Sequence, residues 1–410
     1  MAASERAPKG APELDKCVHC GLCLNACPTY RELHLEMDSP RGRIYQMVQI
    51  ANGAPMTESY LEHIDLCLAC RACETACPSG VRYGHLIENA RAEIEEQVER
   101  PWGTRVLRKF VFETLLPSRK MLRTAATLLR VRKAIPIPMP GRLGELESLA
   151  PPVETPYFDA NIGRVFPARG ETKHRVAFLA GCIANVCFAR LNEATVRVLQ
   201  ANGCEVTIPA DQTCCGALHV HSGLRKTARR LAAQNVAACL DGNFDAIITN
   251  AGGCGSTLKE YGELLDGDPR AVEFASKMKD VSEFLASIEL RAPTKEIHAT
   301  VTYQDSCHLA HGQRVRAAPR QLLRRIPGLT LKEMRGPDQC CGSAGIYNVV
   351  HTDMSMALLQ KKMETVNATG AERIVTANPG CMLQLRAGVD HWGHGQRVSH
   401  VVEILDEAYS

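Results

Sequence analysis

Apolar residues follow two different rhythms along this chain. Up to about residue 100 they recur at the three-to-four-residue spacing of helices. That spacing predicts helices over about Arg41–Gln49, Glu58–Asp65 and Tyr83–Arg100, the last halted by Pro101. From about residue 173, short apolar runs alternate with helical stretches. Arg175–Cys182 (RVAFLAGC), Cys204–Ala210 and Asp245–Thr249 read as strands. Leu191, Ala194, Val198 and Leu199 mark one helix face, and Ala217–Asp241 reads as a second helix. The same order returns in His298–Tyr303, Ala318–Ile326, Leu329–Met334, Asp353–Val366 and Arg373–Thr376. Strands alternating with helices build a parallel or mostly parallel α/β sheet. Between the two rhythms lies a connector, residues 102–172. Its first half is basic and amphipathic, with nine Lys/Arg and one acid, Glu113, from Arg105 to Lys133. Its second half carries Pro136, Pro138, Pro140, Pro151, Pro152 and Pro156 and reads as irregular.

Two repeats underlie this pattern. The short one, Cys17-x2-Cys20-x2-Cys23-x3-Cys27-Pro28, returns at an offset of 50 as Cys67-x2-Cys70-x2-Cys73-x3-Cys77-Pro78. The long one sets Cys182 against Cys307, Cys214-Cys215-Gly216 against Cys340-Cys341-Gly342, and Cys254 against Cys381, at offsets of 125, 126 and 127. Near-constant offsets across three landmarks imply two copies of one domain. The expected architecture is therefore mixed. A mainly α-helical N-terminal domain (1–101) and the connector (102–172) precede two tandem α/β cysteine-rich domains (173–290 and 291–410). The repeated cysteines fall at or just beyond the carboxyl ends of strands, the rim where open α/β sheets gather ligands. The four cysteines of each copy can converge there.

A length of 410 residues fits two to four domains, and 45% hydrophobic residues is ordinary for packed cores. The net charge of +3 is too small to argue for nucleic acid, and 5% aromatics provide no stacking platform for bases. The nineteen cysteines change the picture most. Met1–Lys16 is polar and carries no apolar stretch resembling a signal peptide, and many cysteines stand at metal-ligand spacing, so a secreted disulfide scaffold is not indicated. The expected compartment is the cytoplasm. No apolar run approaches the roughly 18–20 residues of a spanning helix. The basic connector helix can contact anionic lipid or simply face solvent, so peripheral contact with the inner face of the membrane is the most that is expected.

The doubled C-x2-C-x2-C-x3-C-P run is chemically specific. Each iron of a four-iron cubane needs one thiolate. Three closely spaced cysteines wrap one face, and the fourth leaves to ligate the other cluster. Cys17, Cys20, Cys23 and Cys77 are thus assigned to one [4Fe–4S] cluster, and Cys67, Cys70, Cys73 and Cys27 to a second. Zinc also uses paired cysteines but requires neither the third and fourth cysteine nor the trailing proline. Arg41 and Arg43, between the two runs, are candidates to raise cluster potential, or merely to solvate a helix start. Cys187, Cys204 and Cys239 fall outside every motif and read as small core residues. His219, His221, His308 and His311 read as loop or supporting groups rather than ligands.

The Cys-Cys-Gly copies resemble the cysteine-rich domains of heterodisulfide reductases, of the anaerobic glycerol-3-phosphate dehydrogenase small subunit and of glycolate oxidase. The spans match, with 31 residues between Cys182 and Cys214 and 32 between Cys307 and Cys340. The pattern departs at its end. Where the family has the first cysteine of a closing C-x-x-C, this chain has Ala251 and Asn378, so only Cys254 and Cys381 remain. The five-cysteine, non-cubane cluster of heterodisulfide reductases is one ligand short in both copies. Four thiolates per copy still suffice for an ordinary cubane, the alternative being cysteines that merely pack. CCGSAG in the second copy follows the family more closely. Cys307, Cys340, Cys341 and Cys381 are therefore the stronger candidates for a third cluster, and Cys182, Cys214, Cys215 and Cys254 the weaker.

The tracts CVHCGLCLNACPTY, SPRGRIY, CLACRACETACPSGVRYG and CCGSAGIY together resemble the iron–sulfur subunits of bacterial glycolate oxidase over almost the whole chain. That resemblance implies two [4Fe–4S] clusters, an FAD-containing partner subunit that oxidises glycolate to glyoxylate, and a quinone-type acceptor. The chain has no G-x-G-x-x-G opening a helix after a strand and no recognisable flavin site. It is expected to carry electrons, to contain no catalytic residue of its own and not to oxidise substrate alone. Equivalent subunits of lactate or glycerol-3-phosphate dehydrogenases, and a heterodisulfide-reductase-like subunit, are the alternatives.

Overall fold

The computed structural model describes residues 11–135 and 152–410. The first ten residues, and Pro136, Pro138, Pro140 and Pro151 of the connector, lie outside the described residues.

The N-terminal domain is built on helices Pro28–Leu33, Pro40–Ala51, Glu58–Asp65 and Tyr83–Gln97. Their starts follow from local chemistry. Ser39 Oγ accepts from the Gly42 amide at 2.9 Å with Pro40 in the first turn, and the Thr57 hydroxyl accepts from the Tyr60 amide at 3.2 Å. Ile44, Met47, Tyr60, Ile64, Leu86 and Ile87 form the shared core. The last helix stops at Gln97 rather than Arg100. Val98 is already extended, and the residues before Pro101 are disfavoured in the helical region.

Two sheets follow. The first comprises β1 (Val165–Phe166), β2 (His174–Phe178), β3 (Cys204–Thr207), β4 (Ala246–Thr249) and β5 (Met278–Asp280), in the order β1-β3-β2-β4-β5. Only β1 is antiparallel, pairing with β3 at the edge. The second comprises β6 (Ala299–Tyr303), β7 (Leu329–Leu331), β8 (Arg373–Thr376) and β9 (Arg397–His400), all parallel, in the order β7-β6-β8-β9. The mixed architecture and the tandem α/β copies are as expected from the sequence. Three details differ. β2 ends at Phe178, because the chain turns away through Gly181 at φ 76° before reaching Cys182. The helix expected over Ala217–Asp241 is two helices, Ala217–His221 and Arg225–Leu240, broken at Gly223 with φ 80°. Each copy also has a fourth strand, β5 and β9, that apolar patterning does not mark. Both are short, and each leads into a capped helix in which Asp280 pairs with Glu283, and His400 with Glu403, in a reciprocal capping box.

The two copies exchange helices. Val281–Ser287, which follows β5, packs on Ala317–Arg324 of the second copy. Val401–Tyr409, which follows β9, packs on Ala189–Ala201 of the first. Phe178, Leu199, Leu285, Val301, Leu322 and Leu405 consequently belong to one continuous core. Arg197 seals the exchange on Asp406, with Nη2–Oδ2 at 2.6 Å. The carboxyl-end rims of both sheets therefore face the same space. The connector helices Trp102–Lys109 and Arg119–Lys133 strap the outside, with Phe112, Leu116 and Leu122 packed against Leu218 of one copy and Ile346 of the other.

Gly223 lies on the seam between the first copy and the N-terminal domain. A Cβ there would stand 2.4 Å from the Arg91 carbonyl oxygen. Gly223→Ala is expected to cost about 1–3 kcal/mol and to lower the thermal midpoint, since backbone clash and a positive φ act together. An unchanged midpoint would show that the seam relaxes freely.

Candidate iron–sulfur sites

Each N-terminal cysteine loop is wound by the same device. The second and fourth residues after the first cysteine take left-handed conformations: His19 and Gly21 in one loop (φ 54° and 84°), Ala69 and Arg71 in the other (φ 52° and 62°). Alternating handedness of this kind turns successive amide groups toward the inside of a loop. Cys27 caps the helix Pro28–Leu33, whereas Cys77 stands between the short helix Ala72–Thr75 and a turn; each is followed by proline.

The two runs cross. Cys17, Cys20, Cys23 and Cys77 line one cavity, together with Arg41. Cys27, Cys67, Cys70 and Cys73 line a second, together with Thr29, Arg43 and Tyr83. The first cavity is superficial, with Cys20 exposed, whereas the cysteines of the second are all buried. Arg41 and Arg43, two residues apart at the start of one helix, serve different cavities. Arg41 bridges Glu36 at 2.6 Å and the His19 carbonyl at 3.0 Å. Arg43 is fully buried and donates to the Asp38 carbonyl (2.6 Å), the His63 carbonyl (2.6 Å) and Thr29 Oγ1 (3.1 Å). Burial works against its charge, but the thiols of Cys67 and Cys27 and the Asp38 carboxylate hold the guanidinium firmly protonated. Thr29 and Tyr83 add polar contacts to sulfur: Thr29 Oγ1 lies 3.3 Å from Cys27 Sγ, and the Tyr83 hydroxyl 3.8 Å from Cys67 Sγ. Sequence reading missed both, although they stand in the CPTY and VRYG tracts.

Burial pushes the Cys23 thiol up to about 11 and the Cys70 and Cys73 thiols well above their ordinary value. Such thiols become ligands only when a metal draws off the proton, so cluster assembly here must release protons. Quartets of cysteine sulfur are the donor set that four-iron clusters require, and the residues fit. Among the described residues no three His, Cys, Asp or Glu side chains converge on a single ion; the cysteines line cavities instead.

The Cys-Cys-Gly copies open on one shared cavity of ≈ 390 Å³, lined by Cys182, Cys214, Cys215 and Cys254 from one side and by Cys307, Cys340, Cys341 and Cys381 from the other. In the first copy Cys182 Sγ lies 3.6 Å from Cys214 Sγ. Cys215 contacts both Cys214 and Cys254. In the second copy Cys340 joins Cys307 to Cys341, and Cys341 joins Cys381. Each quartet is thus a contiguous file of sulfur atoms, the second wholly buried. At the two positions where the resembling domains carry a further cysteine, Ala251 starts a helix, and Asn378 Nδ2 donates to Cys381 Sγ at 3.4 Å. Cys187, Cys204 and Cys239 are buried, and burial pushes each thiol up to about 12.

The quartets are not independent. Cys70 packs in one cluster with Cys307, Cys340 and Tyr347. The histidines brace this junction. His308 Nε2 meets the Ala69 carbonyl at 3.1 Å, and its ring stacks on His221 at 4.9 Å. His221 Nδ1 reaches Glu88 at 3.1 Å, and His311 Nδ1 reaches Thr75 at 2.8 Å. His219 Nε2 holds the Phe112 carbonyl at 2.6 Å.

Known domains match this layout. Residues 13–81 match the 4Fe–4S dicluster domain, and residues 176–259 and 301–386 match the cysteine-rich domain named for its Cys-Cys-Gly motif. Fold and site together define an iron–sulfur protein in which a dicluster domain is joined to two cysteine-rich domains. The chain is 44% identical to the probable glycolate oxidase iron–sulfur subunit of Bacillus subtilis, over 98% of this chain and 95% of the relative. It is 33% identical to the glycolate oxidase iron–sulfur subunit of Escherichia coli, over 100% and 97%. It is also 29% identical to lactate utilization protein A of Exiguobacterium, over 57% of this chain and 97% of that protein. The chain belongs to the family of glycolate oxidase iron–sulfur subunits, which are electron-transfer subunits of an oxidase complex.

The crossed lining generates a direct test. Cys27→Ser is expected to damage the spectroscopic signal that Cys67→Ser, Cys70→Ser and Cys73→Ser also remove. Loss of only the signal that depends on Cys17, Cys20 and Cys23 would show uncrossed ligation.

Proposed function

We propose that this chain carries electrons within a glycolate-oxidising complex, from an FAD-bearing partner that converts glycolate to glyoxylate to a quinone. The observation that supports this most is continuity. Cys17, Cys23 and Cys77 pack against the core that holds Cys67 and Cys73, and Cys70 packs in turn with Cys307 and Cys340. Cys17, Cys20, Cys23 and Cys77 are the ligands proposed for one [4Fe–4S] cluster, and Cys27, Cys67, Cys70 and Cys73 for the other. When bound, such clusters pass electrons one at a time. The chain's own residues set the conditions: Arg43 places a buried positive charge beside one site, and Arg41 a more exposed one beside the other, each favouring the more negative, reduced state. Cys307, Cys340, Cys341 and Cys381 are proposed to hold a third cluster, because they are wholly buried and adjoin Cys70. A hydride equivalent leaving a 2-hydroxy acid needs a two-electron acceptor, and the flavin of a partner supplies it. The likeness to lactate utilization protein A supports lactate as a second reading of the substrate.

The basic connector helix exposes apolar side chains as well, Trp102, Val106, Leu107 and Phe110. Among the described residues no helix is long and apolar enough to cross a membrane. Peripheral contact with anionic lipid is proposed for this helix, with the positive charges drawing it to the surface.

In the assembled complex, Cys70→Ser should leave flavin reduction by glycolate intact and collapse reduction of a downstream quinone-like dye. Flavin reduction by lactate but not by glycolate would transfer the substrate assignment. Persistent dye reduction in the variant would remove the buried quartet from the path. Anaerobically reconstituted chain should hold more than about eight irons, the content of two four-iron clusters; a count stalling there would leave the Cys-Cys-Gly rims without a cluster.

A further inference from the structure

A second cavity lies where the N-terminal domain, both copies and the connector helix meet. Its volume is ≈ 180 Å³, below the roughly 300–1,000 Å³ of a site that swallows a drug-sized ligand, so it suits one ring rather than a whole molecule. Two ring pairs line it: His221 stacked on His308, and Tyr347 against His351 with centroids 4.7 Å apart. Leu218, Ile346 and Val350 supply aliphatic surface, and Cys67 is also part of the lining.

Three arginines also line the cavity, yet their charge is largely committed. Arg91 donates to the carbonyls of His221, Ile64, Asp65 and Cys67, at 2.5 to 3.2 Å. Arg100 and Arg108 share the Glu95 carboxylate, each at 2.9 Å. Arg108 Nε is buried and has no hydrogen-bond partner among the described residues. Rings and aliphatic carbons, with the arginine charge already engaged and the Asp65 carboxylate alongside, match an uncharged flat ring; a charged hydroxy acid would lose its hydration for little return. Val350 at the cavity is 62% exposed, so the cavity reaches the surface there, and a lipid-soluble ring can enter past it.

We infer that this cavity binds the head group of a membrane quinone, its ring lying against the His221–His308 and Tyr347–His351 pairs. The inference rests on the proposed quinone acceptor and adds where that acceptor sits. Reduction there consumes two electrons and two protons, converting both C=O groups to C–OH. The electrons come singly from the iron–sulfur site built on Cys67 and originate in the hydroxy acid oxidised by the flavin partner. The protons come from water at the cavity mouth, where His351 is half-buried.

The test uses the assembled complex and an azido-quinone photoprobe, with binding and turnover measured separately. Labelling should fall on the peptides around Leu218–Ser222 or Ala344–His351. Val350→Trp, and independently Val350→Arg, should weaken quinone binding about tenfold or more, at a position that is 62% exposed and tolerates both. Iron content, thermal midpoint and glycolate-driven ferricyanide reduction should stay at wild-type levels. Labelling elsewhere, or wild-type quinone affinity in both variants, overturns the cavity assignment and leaves the quinone acceptor standing. If the wild-type complex binds and reduces no quinone while ferricyanide is reduced, the acceptor reading falls and the cavity assignment with it.

Discussion

Arg71 ties the N-terminal domain to the first cysteine-rich copy. It follows Cys70, is left-handed at φ 62°, and is almost wholly buried. One guanidinium nitrogen meets Glu260 at 2.6 Å and Ser256 at 3.0 Å, both in the first cysteine-rich copy, and another approaches Glu74 of its own domain at 3.4 Å. Gly84 makes room for it, since a Cβ there would stand 2.2 Å from Arg71 Nε. Burial alone would raise the Glu260 carboxyl, but the hydrogen bond from His85 and the charge of Arg71 hold it down at about 2, so the pair stays ionised. Breaking such a pair from one side generally costs about 3–5 kcal/mol, because the surviving charge is stranded in a poor solvent. One side chain thus fixes the loop that carries Cys70 and locks the N-terminal domain to the rim of the next.

That lock explains why the cysteine cavities sit so close together. A loop with two left-handed non-glycine residues, Ala69 and Arg71, is strained by itself. It holds its shape because His308 caps the Ala69 carbonyl from the second copy while Arg71 is gripped by the first. The same contacts bring Cys70 against Cys307 and Cys340. Arg71 and His308 thus shape the loop that carries Cys70 and dock the domains at once, so neither can be altered without the other.

Much of this was legible in the chain. The doubled cysteine run pointed to cysteines that line two common cavities, and the three near-constant offsets announced two copies of one α/β unit. What escaped was whatever depends on contacts between distant segments. β5 and β9 are too short to show alternation, and only the capping residues after them, Asp280 with Glu283 and His400 with Glu403, hinted at helices starting there. The four histidines near the motifs looked like supporting groups of individual sites; they are braces between domains, and nothing local marks a residue whose partner lies 133 or 239 positions away, as for His221 and His308. Arg43 read equally as a charge that tunes a cluster and as a solvated helix start, because sequence patterning has no way to see that its neighbours fold over it.

The exchanged helices carry a consequence for how the protein is made. The helix Ala189–Ala201 finds its partner on a segment 209 residues downstream, as the Arg197–Asp406 pair records. During synthesis, the first sheet must wait with an apolar flank uncovered until that segment has been translated, because a contact this distant in sequence forms only after the intervening chain exists. The two cysteine rims stay open to the surroundings through that interval and close on one another only when both copies are complete. Maturation is thereby ordered in time by topology, with sulfur ligands accessible early and sealed late.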